Sequence, residues 1–453
     1  MPSRICVIDV PGLSRELLRE IPETSAVGRW LSNQHIHGLT PSFPAVTCSV
    51  QATLTTGVGP EKHGIVANGL PTFRSAGDRK LVDASNFADY RRQISFWEQS
   101  NQLLDVPRFW QDASGKSRWK TSLLFFQNSM PGFAGMPRPA ADIVLTPKPD
   151  HGPDGKLVSL CWSNPAELVP QLFKELGPFP LMNYWGPMAG IASSQWIARA
   201  AAIIWREHKP QLQWVYVPHL DYDLQKFGPS SPQAKAAVRD MAAAIEPLVD
   251  DVLGSGGKLV LLSEYSMRDV NAFVQPNVVL AQNGLLVTRE TPDGILIDYD
   301  RSTAFAIVDH QIAHVYVKQS EQIEAVAKVL HSVAGIHSIL RHSVAGFHHR
   351  RAGDLILLAQ PNAWFDYRWW SQPEDAPAFA STVDIHRKPG YDPTELFWDR
   401  STNGTSQNPA LVKGSHGLVS PAEALLIGDL AKSEDTVDAA DVAGLLSAAL
   451  DGD

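Results

Sequence analysis

The chain has 453 residues, 44% hydrophobic and 19% charged, a composition that excludes both a disordered protein and a single small domain. Its net charge of -9 argues against nucleic-acid binding, because that role needs a basic surface to displace counterions from phosphates. Three scattered cysteines exclude a disulfide framework. No apolar run reaches the ~20 residues that span a bilayer, and no signal-peptide pattern is present, so we expect a cytoplasmic protein without a membrane partner.

Short apolar runs alternate with helical patterns, which predicts an α/β fold. Runs of this length, bounded by Gly and Pro, are typical of strands buried on both faces, as in a parallel sheet covered by helices. An amphipathic pattern over residues 231–253 predicts a helix that joins two of these strands in a βαβ unit. The predicted strands lie at residues 5–8, 212–217, 258–262, 306–308 and 354–358.

Residues 271–350 are predicted to form a smaller α+β lid insertion, since residues 305–317 have strand character and residues 321–333 have helical periodicity. The segments 1–270 and 351–453 are then the two parts of one catalytic core. We expect the aromatic- and proline-rich residues 73–180 to wrap around that core. Aromatic clusters are expected to wall a compact pocket, and they include Trp185, Trp364, Trp369 and Trp370.

Acidic residues follow three of the predicted strands, at the sheet edge where open α/β sheets bind their ligands. Asp9 ends the first run, Asp221 follows the run at 212–217, and Glu264 follows the run at 258–262. Asp9 fits a helix N-cap near residues 14–20 as well as a cation ligand, and an acidic residue after a strand is often a turn residue. Together with His416, which lies between two glycines, these residues suit two cations that bridge a phosphoryl group.

A proline-punctuated segment, residues 41–46, leads to a predicted helix start at Thr47. A hydroxyl at a helix N-terminus faces free N–H groups and the positive end of the helix dipole, which would hold a phosphate and stabilise an attacking alkoxide. A threonine that simply caps the helix is the commoner role, so a catalytic Thr47 requires metal ligands nearby.

Three motifs and an asparagine lie close together around and after Thr47: Pro-Ala-Val-Thr-Cys at 44–48, Leu-Thr-Thr-Gly at 54–57, Pro-Glu-Lys-His-Gly-Ile at 60–65, and Asn68. This segment resembles the nucleophile block of the type I phosphodiesterase/nucleotide pyrophosphatase branch of the alkaline phosphatase superfamily. The chain order of the candidate ligands also follows that family. The resemblance implies an alkaline-phosphatase-like fold, a mostly parallel sheet sandwiched by helices.

The resemblance also implies a metal-dependent hydrolase. Asp9, Thr47 and Glu264 would bind one divalent cation, Asp221 and His416 the other, and Thr47 would attack phosphorus to form a phospho-enzyme. The expected substrate is a phosphodiester or pyrophosphate bond in a small phosphorylated metabolite. A phosphomonoesterase or phosphonate hydrolase, and a catalytically degenerate binding protein, remain as alternatives.

The sequence departs from the family pattern at ligand positions. Gln225 and Tyr265 stand where the family has histidines, and Val50 replaces an asparagine that helps hold phosphate. Oxygen donors shift the expected metal from Zn toward Mg, Mn or Fe. Asp384 and His386 are replacement metal-ligand candidates, and a strand over 309–314 would place two histidines on one face. Predicted substrate contacts are Asn68, Tyr265, His310, His314, Arg387 and Lys388.

Overall fold

The computed structural model describes residues 3–71, 94–112, 114–131, 139–148, 150–151, 157–158, 161–342, 348–385, 387–428, 430 and 435–452. A nine-stranded central sheet packed with helices forms the larger part of the fold, and a separate four-stranded sheet forms the smaller part. The predicted α/β class is therefore confirmed.

The central sheet is mixed, and its middle is parallel. The strands from Lys258–Leu262 through Ile143–Pro147 run parallel to one another, whereas Ala424–Gly428 and Cys161–Asn164 run antiparallel to their neighbours. In spatial order the strands are Thr436–Asp438, Ile36–Thr40, Ala424–Gly428, Lys258–Leu262, Ile5–Asp9, Leu212–Tyr216, Thr121–Leu124, Ile143–Pro147 and Cys161–Asn164. Ile5–Asp9 is wholly buried at the middle of the sheet, as its run of apolar residues predicts.

The predicted crossover helix is Pro232–Gly254. It begins after Ser231, whose side chain accepts a hydrogen bond of 3.0 Å from the Ala234 N–H, and a proline occupies the first helical position, where no N–H is needed. Its apolar face packs against the helix Ile191–His208. The two strands that it joins lie on either side of Ile5–Asp9, so the crossover passes the first strand of the chain.

The remaining elements are short. The other α-helices of the described residues are Ala26–Leu31, Thr47–Thr56, Pro60–His63, Leu168–Leu176, His219–Phe227, Pro276–Gln282, Ile323–His331 and Val442–Asp451. Small two-stranded sheets pair Gly69–Pro71 with Ile94–Phe96, Asp150–His151 with Leu157–Val158, Arg268–Asp269 with Gly414–Ser415, Ala272–Val274 with Ala363–Phe365, Thr288–Thr291 with Gly294–Ile297, and Trp398–Asp399 with Gly404–Thr405. Among the described helices, none has both the length and the apolar character needed to cross a bilayer.

The small sheet is antiparallel and corrects part of the sequence prediction. Its strands, in spatial order, are Ala304–Asp309, Ile312–Val317, Leu355–Ala359 and Ile336–Arg341. The apolar runs at 306–308 and 354–358 therefore belong to this small sheet and not to the parallel sheet. Their composition could not distinguish the two sheets, because a strand buried on both faces has the same composition in either one. The predicted insertion 271–350 holds three of these strands; the fourth follows it, and the domain division stays a prediction.

The segment 73–180 does more than wrap the core. Its described parts contribute three strands to one side of the central sheet: Thr121–Leu124, Ile143–Pro147 and Cys161–Asn164. The sequence did not reveal them because each has only four or five residues and none shows a clear alternation of apolar and polar residues.

Candidate active site

Parallel pairing brings the acidic residues to one edge of the central sheet. Asp9 ends the middle strand, and its backbone carbonyl accepts a hydrogen bond of 2.9 Å from Val217 at the end of the next strand. On the other side, the Val10 N–H donates to Leu262 at 2.9 Å. Asp221 in the helix His219–Phe227 and Glu264 just after Lys258–Leu262 therefore arrive at this edge, as the strand-end argument predicts.

Asp9 and Glu264 form a buried carboxyl pair. Both side chains are fully buried, and none of their four oxygens has a hydrogen-bond partner among the described residues. Burial raises the pKa of Asp9 to about 7. Burial and the charge of Asp9 raise the pKa of Glu264 well above its usual value. Thr47 and Gln51 approach Glu264 closely enough to oppose that rise in pKa, although neither completes a hydrogen bond with it.

The N-cap alternative for Asp9 does not hold in the structure. The turn near residues 14–20 is a short 3-10 helix, Leu17–Glu20, and the Ser14 hydroxyl accepts the hydrogen bond of 3.2 Å from its Leu17 N–H. Asp9 does not cap a helix, and its neighbour is the equally buried carboxyl group of Glu264. Two buried carboxyl groups side by side cost stability unless a cation or a proton neutralises them.

Thr47 begins the buried helix Thr47–Thr56. The preceding Val46 has no side chain that can cap the helix, so Asn68 supplies the cap: its Oδ1 accepts from the Cys48 N–H at 2.8 Å. Asp309 in turn holds Asn68, accepting its backbone N–H at 2.7 Å and its side-chain amide at 3.0 Å. Asn68, a predicted substrate contact, therefore fixes the start of the Thr47 helix.

A continuous chain of hydrogen bonds runs from Thr47 into the sheet edge. Thr47 Oγ1 lies 3.0 Å from the Tyr265 hydroxyl, which donates to Asp221 Oδ1 at 3.2 Å. Gln225 donates to the other Asp221 oxygen at 2.5 Å and accepts from the Tyr391 hydroxyl at 2.8 Å. A phenol has one proton, and Tyr265 gives it to Asp221, so Thr47 donates to the Tyr265 oxygen.

His416 lies beside this chain. Its Nδ1 donates to the Ala45 carbonyl at 2.7 Å, and its ring stacks on Tyr265 with a centroid distance of 3.6 Å. Burial lowers its pKa to about 3, so the ring is neutral and Nε2 carries a free lone pair. That nitrogen has no hydrogen-bond partner among the described residues and lies 3.9 Å from Asp221 Oδ1.

The two histidines of segment 309–314 do not share a strand face, so that prediction is wrong. His310 lies in the two-residue turn between Ala304–Asp309 and Ile312–Val317, with φ of 59°. Its ring stacks between His416 and Tyr391. His314 lies in the following strand, and its ring nitrogens bond the Gly353 N–H at 3.0 Å and the Val66 carbonyl at 3.1 Å. His310 borders the site, whereas His314 has a structural role.

The predicted basic and acidic groups at 384–388 are held by their own neighbourhood. Asp384 pairs with Arg387. Buried Lys388 donates to Asp392 at 2.7 Å and to Glu395 at 2.6 Å. Its positive charge is therefore paired with these two carboxyl groups and does not face the site, where it was predicted to bind phosphate. His386 lies outside the described residues. This segment nevertheless reaches the site through a residue that the sequence analysis missed.

That residue is Tyr391, which holds Gln225 by the hydrogen bond given above. No motif marks it, since a single tyrosine after a glycine has no distinctive pattern. Trp185 packs beside it at 5.5 Å between ring centroids and donates to Glu395, so one of the predicted aromatic walls does lie near the site. The aromatic residues at 364–370 are buried away from solvent, and most of them pack in the core of the small sheet.

The donors fit one cation better than two. The Asp9 and Glu264 oxygens are unpartnered and suit a hard divalent cation. Both oxygens of Asp221 already accept hydrogen bonds. Within the part of the chain that the structure describes, no three His, Cys, Asp or Glu side chains are arranged to hold a metal ion.

Comparison with known proteins identifies the family of the chain. The family model for type I phosphodiesterase / nucleotide pyrophosphatase matches residues 5–392. No curated protein matches the sequence significantly.

Among solved structures, phosphonoacetate hydrolase from Sinorhizobium meliloti 1021, in complex with phosphonoformate, superposes with a TM-score of 0.59 at 13% identity over 99% of this chain and 96% of that one. Murine ectonucleotide pyrophosphatase / phosphodiesterase 5 gives the same TM-score and identity over 99% of this chain and 95% of its own. The human counterpart gives 0.58, again at 13% identity and with the same coverage. At this identity the likeness establishes the fold. With the family model spanning most of the chain, the protein belongs to the type I phosphodiesterase/nucleotide pyrophosphatase family of hydrolases.

Proposed function

We propose that the chain hydrolyses a phosphodiester or pyrophosphate bond in a small metabolite, with Thr47 as the nucleophile. The observation that carries this proposal is the position of the Thr47 hydroxyl, at the N-terminus of a buried helix, bonded to Tyr265 and next to the unpartnered carboxyl pair. A threonine that only capped its helix would accept a hydrogen bond from that helix, and Asn68 performs that task instead.

The hydrogen-bond direction prepares Thr47 for attack. Because its proton points to Tyr265, the lone pairs of Oγ1 are free to meet phosphorus. The helix N-terminus favours negative charge on the attacking oxygen and on the phosphoryl group. As the bond from Oγ1 to phosphorus forms and the bond to the leaving group breaks, the Thr47 proton passes to Tyr265 while the Tyr265 proton passes to Asp221.

Hydrolysis of the phosphothreonine completes the cycle. Water attacks phosphorus, its oxygen remains on the phosphoryl product, and Thr47 recovers its proton from Asp221 through Tyr265. The proton released by water balances the one taken up by the leaving group. A divalent cation held by Asp9 and Glu264 would supply electrostatic stabilisation of the phosphoryl charge. The oxygen donors favour Mg, Mn or Fe, with Zn as the alternative.

The relatives suggest which substrates to test. One structural neighbour is a phosphonoacetate hydrolase, and an inactive form of the murine neighbour was solved in complex with AMP. Nucleotide diesters and pyrophosphates are the first choice because the family model carries that name. Phosphonoacetate and p-nitrophenyl phosphate represent the phosphonate hydrolase and phosphomonoesterase alternatives.

The test compares wild type with Thr47→Ala on bis-p-nitrophenyl phosphate, p-nitrophenyl phosphate, phosphonoacetate and dinucleoside pyrophosphates, each with Mn²⁺, Mg²⁺ and Zn²⁺. Thr56→Ser is the control, because Thr56 lies on the same helix and its hydroxyl bonds only to backbone groups at the far end of that helix. We expect turnover by wild type and Thr56→Ser, and a loss of at least about 10³-fold in Thr47→Ala. Equal turnover by Thr47→Ala would refute Thr47 as nucleophile, and no turnover by wild type on any substrate would favour the degenerate binding protein.

A further inference from the structure

The carboxyl groups of the site have two different environments. Asp9 and Glu264 present four oxygens that are buried and unpartnered. Asp221 is also buried, but each of its oxygens accepts a hydrogen bond from a neutral side chain, Tyr265 on one side and Gln225 on the other. A buried carboxylate needs partners, so the first pair requires a cation or a shared proton, whereas both oxygens of Asp221 already have hydrogen-bond partners.

The two side chains that donate to Asp221 are each held in place by a further contact. Gln225 cannot turn its oxygen toward Asp221 without losing the Tyr391 hydroxyl, which donates to that oxygen. Tyr265 cannot swing away without losing its stack on His416, where the two ring planes lie 6° apart. Proton donors therefore face Asp221 where a cation would have to bind, and a cation and an N–H or O–H donor repel each other.

Few ligands remain for a cation at this position. His416 Nε2, which has a free lone pair, lies 3.9 Å from Asp221 Oδ1. Both oxygens of Asp221 already accept hydrogen bonds, so a cation at this position would find one imidazole as its free ligand. The Gln225 oxygen, which could have been a second, accepts from Tyr391 instead. The Asp9 and Glu264 pair offers two carboxyl groups without such hydrogen bonds, and one or two carboxylates are the usual protein ligands of a hard cation such as Mg²⁺.

We propose that the chain binds a single divalent cation, at Asp9 and Glu264, and that the hydrogen-bonded chain Thr47–Tyr265–Asp221–Gln225–Tyr391 replaces the second cation implied by the resemblance. Tyr265 is the central residue of this arrangement, since its hydroxyl contacts the Thr47 hydroxyl on one side and Asp221 on the other. This inference rests on the proposed function only in that it assigns the cation and the hydrogen-bonded chain to the same site.

The test measures cation stoichiometry without any substrate. Protein stripped with EDTA and dialysed is titrated with Mn²⁺, and free Mn²⁺ is followed by its six-line electron paramagnetic resonance spectrum. We expect one Mn²⁺ per chain in wild type, none bound tightly in Asp9→Asn or Glu264→Gln, and one in the matched variant Asp221→Asn. Circular dichroism establishes that each variant is folded.

A second variant tests the replacement directly. Gln225→His combined with Tyr265→His removes both donors at Asp221 and adds two imidazoles, so the folded double variant should bind two Mn²⁺. Two cations or none in wild type would overturn the proposal, as would loss of the cation in Asp221→Asn. A folded double variant that still binds one would show that these side chains are not what excludes the second cation. If the double variant does not fold, Asp221→Asn decides.

The outcomes separate this inference from the proposed function. One cation without turnover on any substrate would leave the inference standing and remove the hydrolase proposal. Two cations with Thr47-dependent turnover would refute the inference and support the hydrolase proposal.

Discussion

The hydroxyl of Tyr265 contacts both the Thr47 hydroxyl and the Asp221 carboxyl, at 3.0 Å and 3.2 Å. Tyr265→Phe keeps the ring and its stack on His416 but removes this link. We expect kcat to fall by roughly 10–100-fold with little change in KM, because the lost hydrogen bond of about 1–3 kcal/mol acts on the nucleophile and not on substrate binding. Steady-state kinetics on the preferred substrate measures both constants.

Tyr316→Phe is the control for that experiment. Its hydroxyl is also buried and donates to the Arg351 carbonyl at 2.8 Å, but it lies in the small sheet. It should lower the free energy of unfolding without changing kcat. An unchanged kcat in Tyr265→Phe, or an equal loss in Tyr316→Phe, would contradict a specific role for Tyr265.

Individual residues were predictable where a motif or a strand end marked them. Asp9, Thr47, Asp221 and Glu264 do meet at one edge, because parallel strands share the direction of their carboxyl ends. Tyr391 and Asp309 contact the site only through the tertiary fold, and nothing in their local sequence distinguishes them. The charge expected of Lys388 is neutralised by acidic partners four and seven positions later, which a motif search does not reveal.

At the scale of elements, a histidine links the Thr47 helix to the short helix that follows it. His63, in Pro60–His63, contacts the Thr53 hydroxyl through Nε2 at 3.0 Å and accepts from the Ile65 N–H through Nδ1 at 3.1 Å. Burial, aided by nearby positive charges, lowers its pKa to about 3. The histidine of the Pro-Glu-Lys-His-Gly motif therefore serves the geometry of the Thr47 helix as a neutral group.

This burial makes stability depend on pH in a defined direction. Between the unfolded pKa of about 6.5 and the folded pKa of about 3, the unfolded chain binds a proton that the folded chain does not, so stability falls as pH falls through that window. From pH 7 to pH 5 the contribution of His63 is about 2 kcal/mol. His63→Gln should lose less free energy of unfolding than wild type over this range, by about that amount.

Urea denaturation at pH 7 and pH 5, followed by circular dichroism, makes the comparison. His35→Gln replaces a histidine whose side chain is 60% exposed, and it should keep the wild-type difference between the two pH values. If His63→Gln also shows the full wild-type loss, the histidine is not buried in its neutral form.

Elements were predictable when they were long or strongly apolar. The strand Lys258–Leu262 and the helix Pro232–Gly254 agree with the predicted bounds to within a residue. Ile36–Thr40 was missed because His37 and Gly38 interrupt its apolar residues, although pairing with Ala424–Gly428 on one side and Thr436–Asp438 on the other stabilises it. Partners so distant along the chain leave no local trace in the sequence.

Across the whole molecule, Asp309 and Asn68 join the small sheet to the Thr47 helix. Two hydrogen bonds link them, and both side chains are buried. Asp309→Ala and Asn68→Ala should each destabilise the fold, and the double variant should cost about 1–3 kcal/mol less than the sum, since hydrogen bonds to a buried carboxylate are strong. Urea denaturation of the four proteins gives this coupling energy.

A comparison pair checks the interpretation. Ser255 caps the far end of the crossover helix and shares no partner with Asp309, so Asp309→Ala and Ser255→Ala should be additive within about 0.5 kcal/mol. Additivity of Asp309→Ala with Asn68→Ala would mean that the small sheet and the helix are not coupled through this contact. The motif marks Asn68, but nothing in the sequence indicates that Asp309 contacts it, because a hairpin turn more than half the chain away brings Asp309 to this position.

The position of Ile5–Asp9 at the middle of the central sheet bears on how the chain folds as the ribosome makes it. Its neighbours on both sides begin at Leu212 and Lys258. At about 5–20 residues per second, this apolar strand waits roughly 10–50 s for both partners to be synthesised. We expect the nascent chain to depend on chaperones throughout that interval, and slower translation to lengthen the time in which the unpaired strand can aggregate.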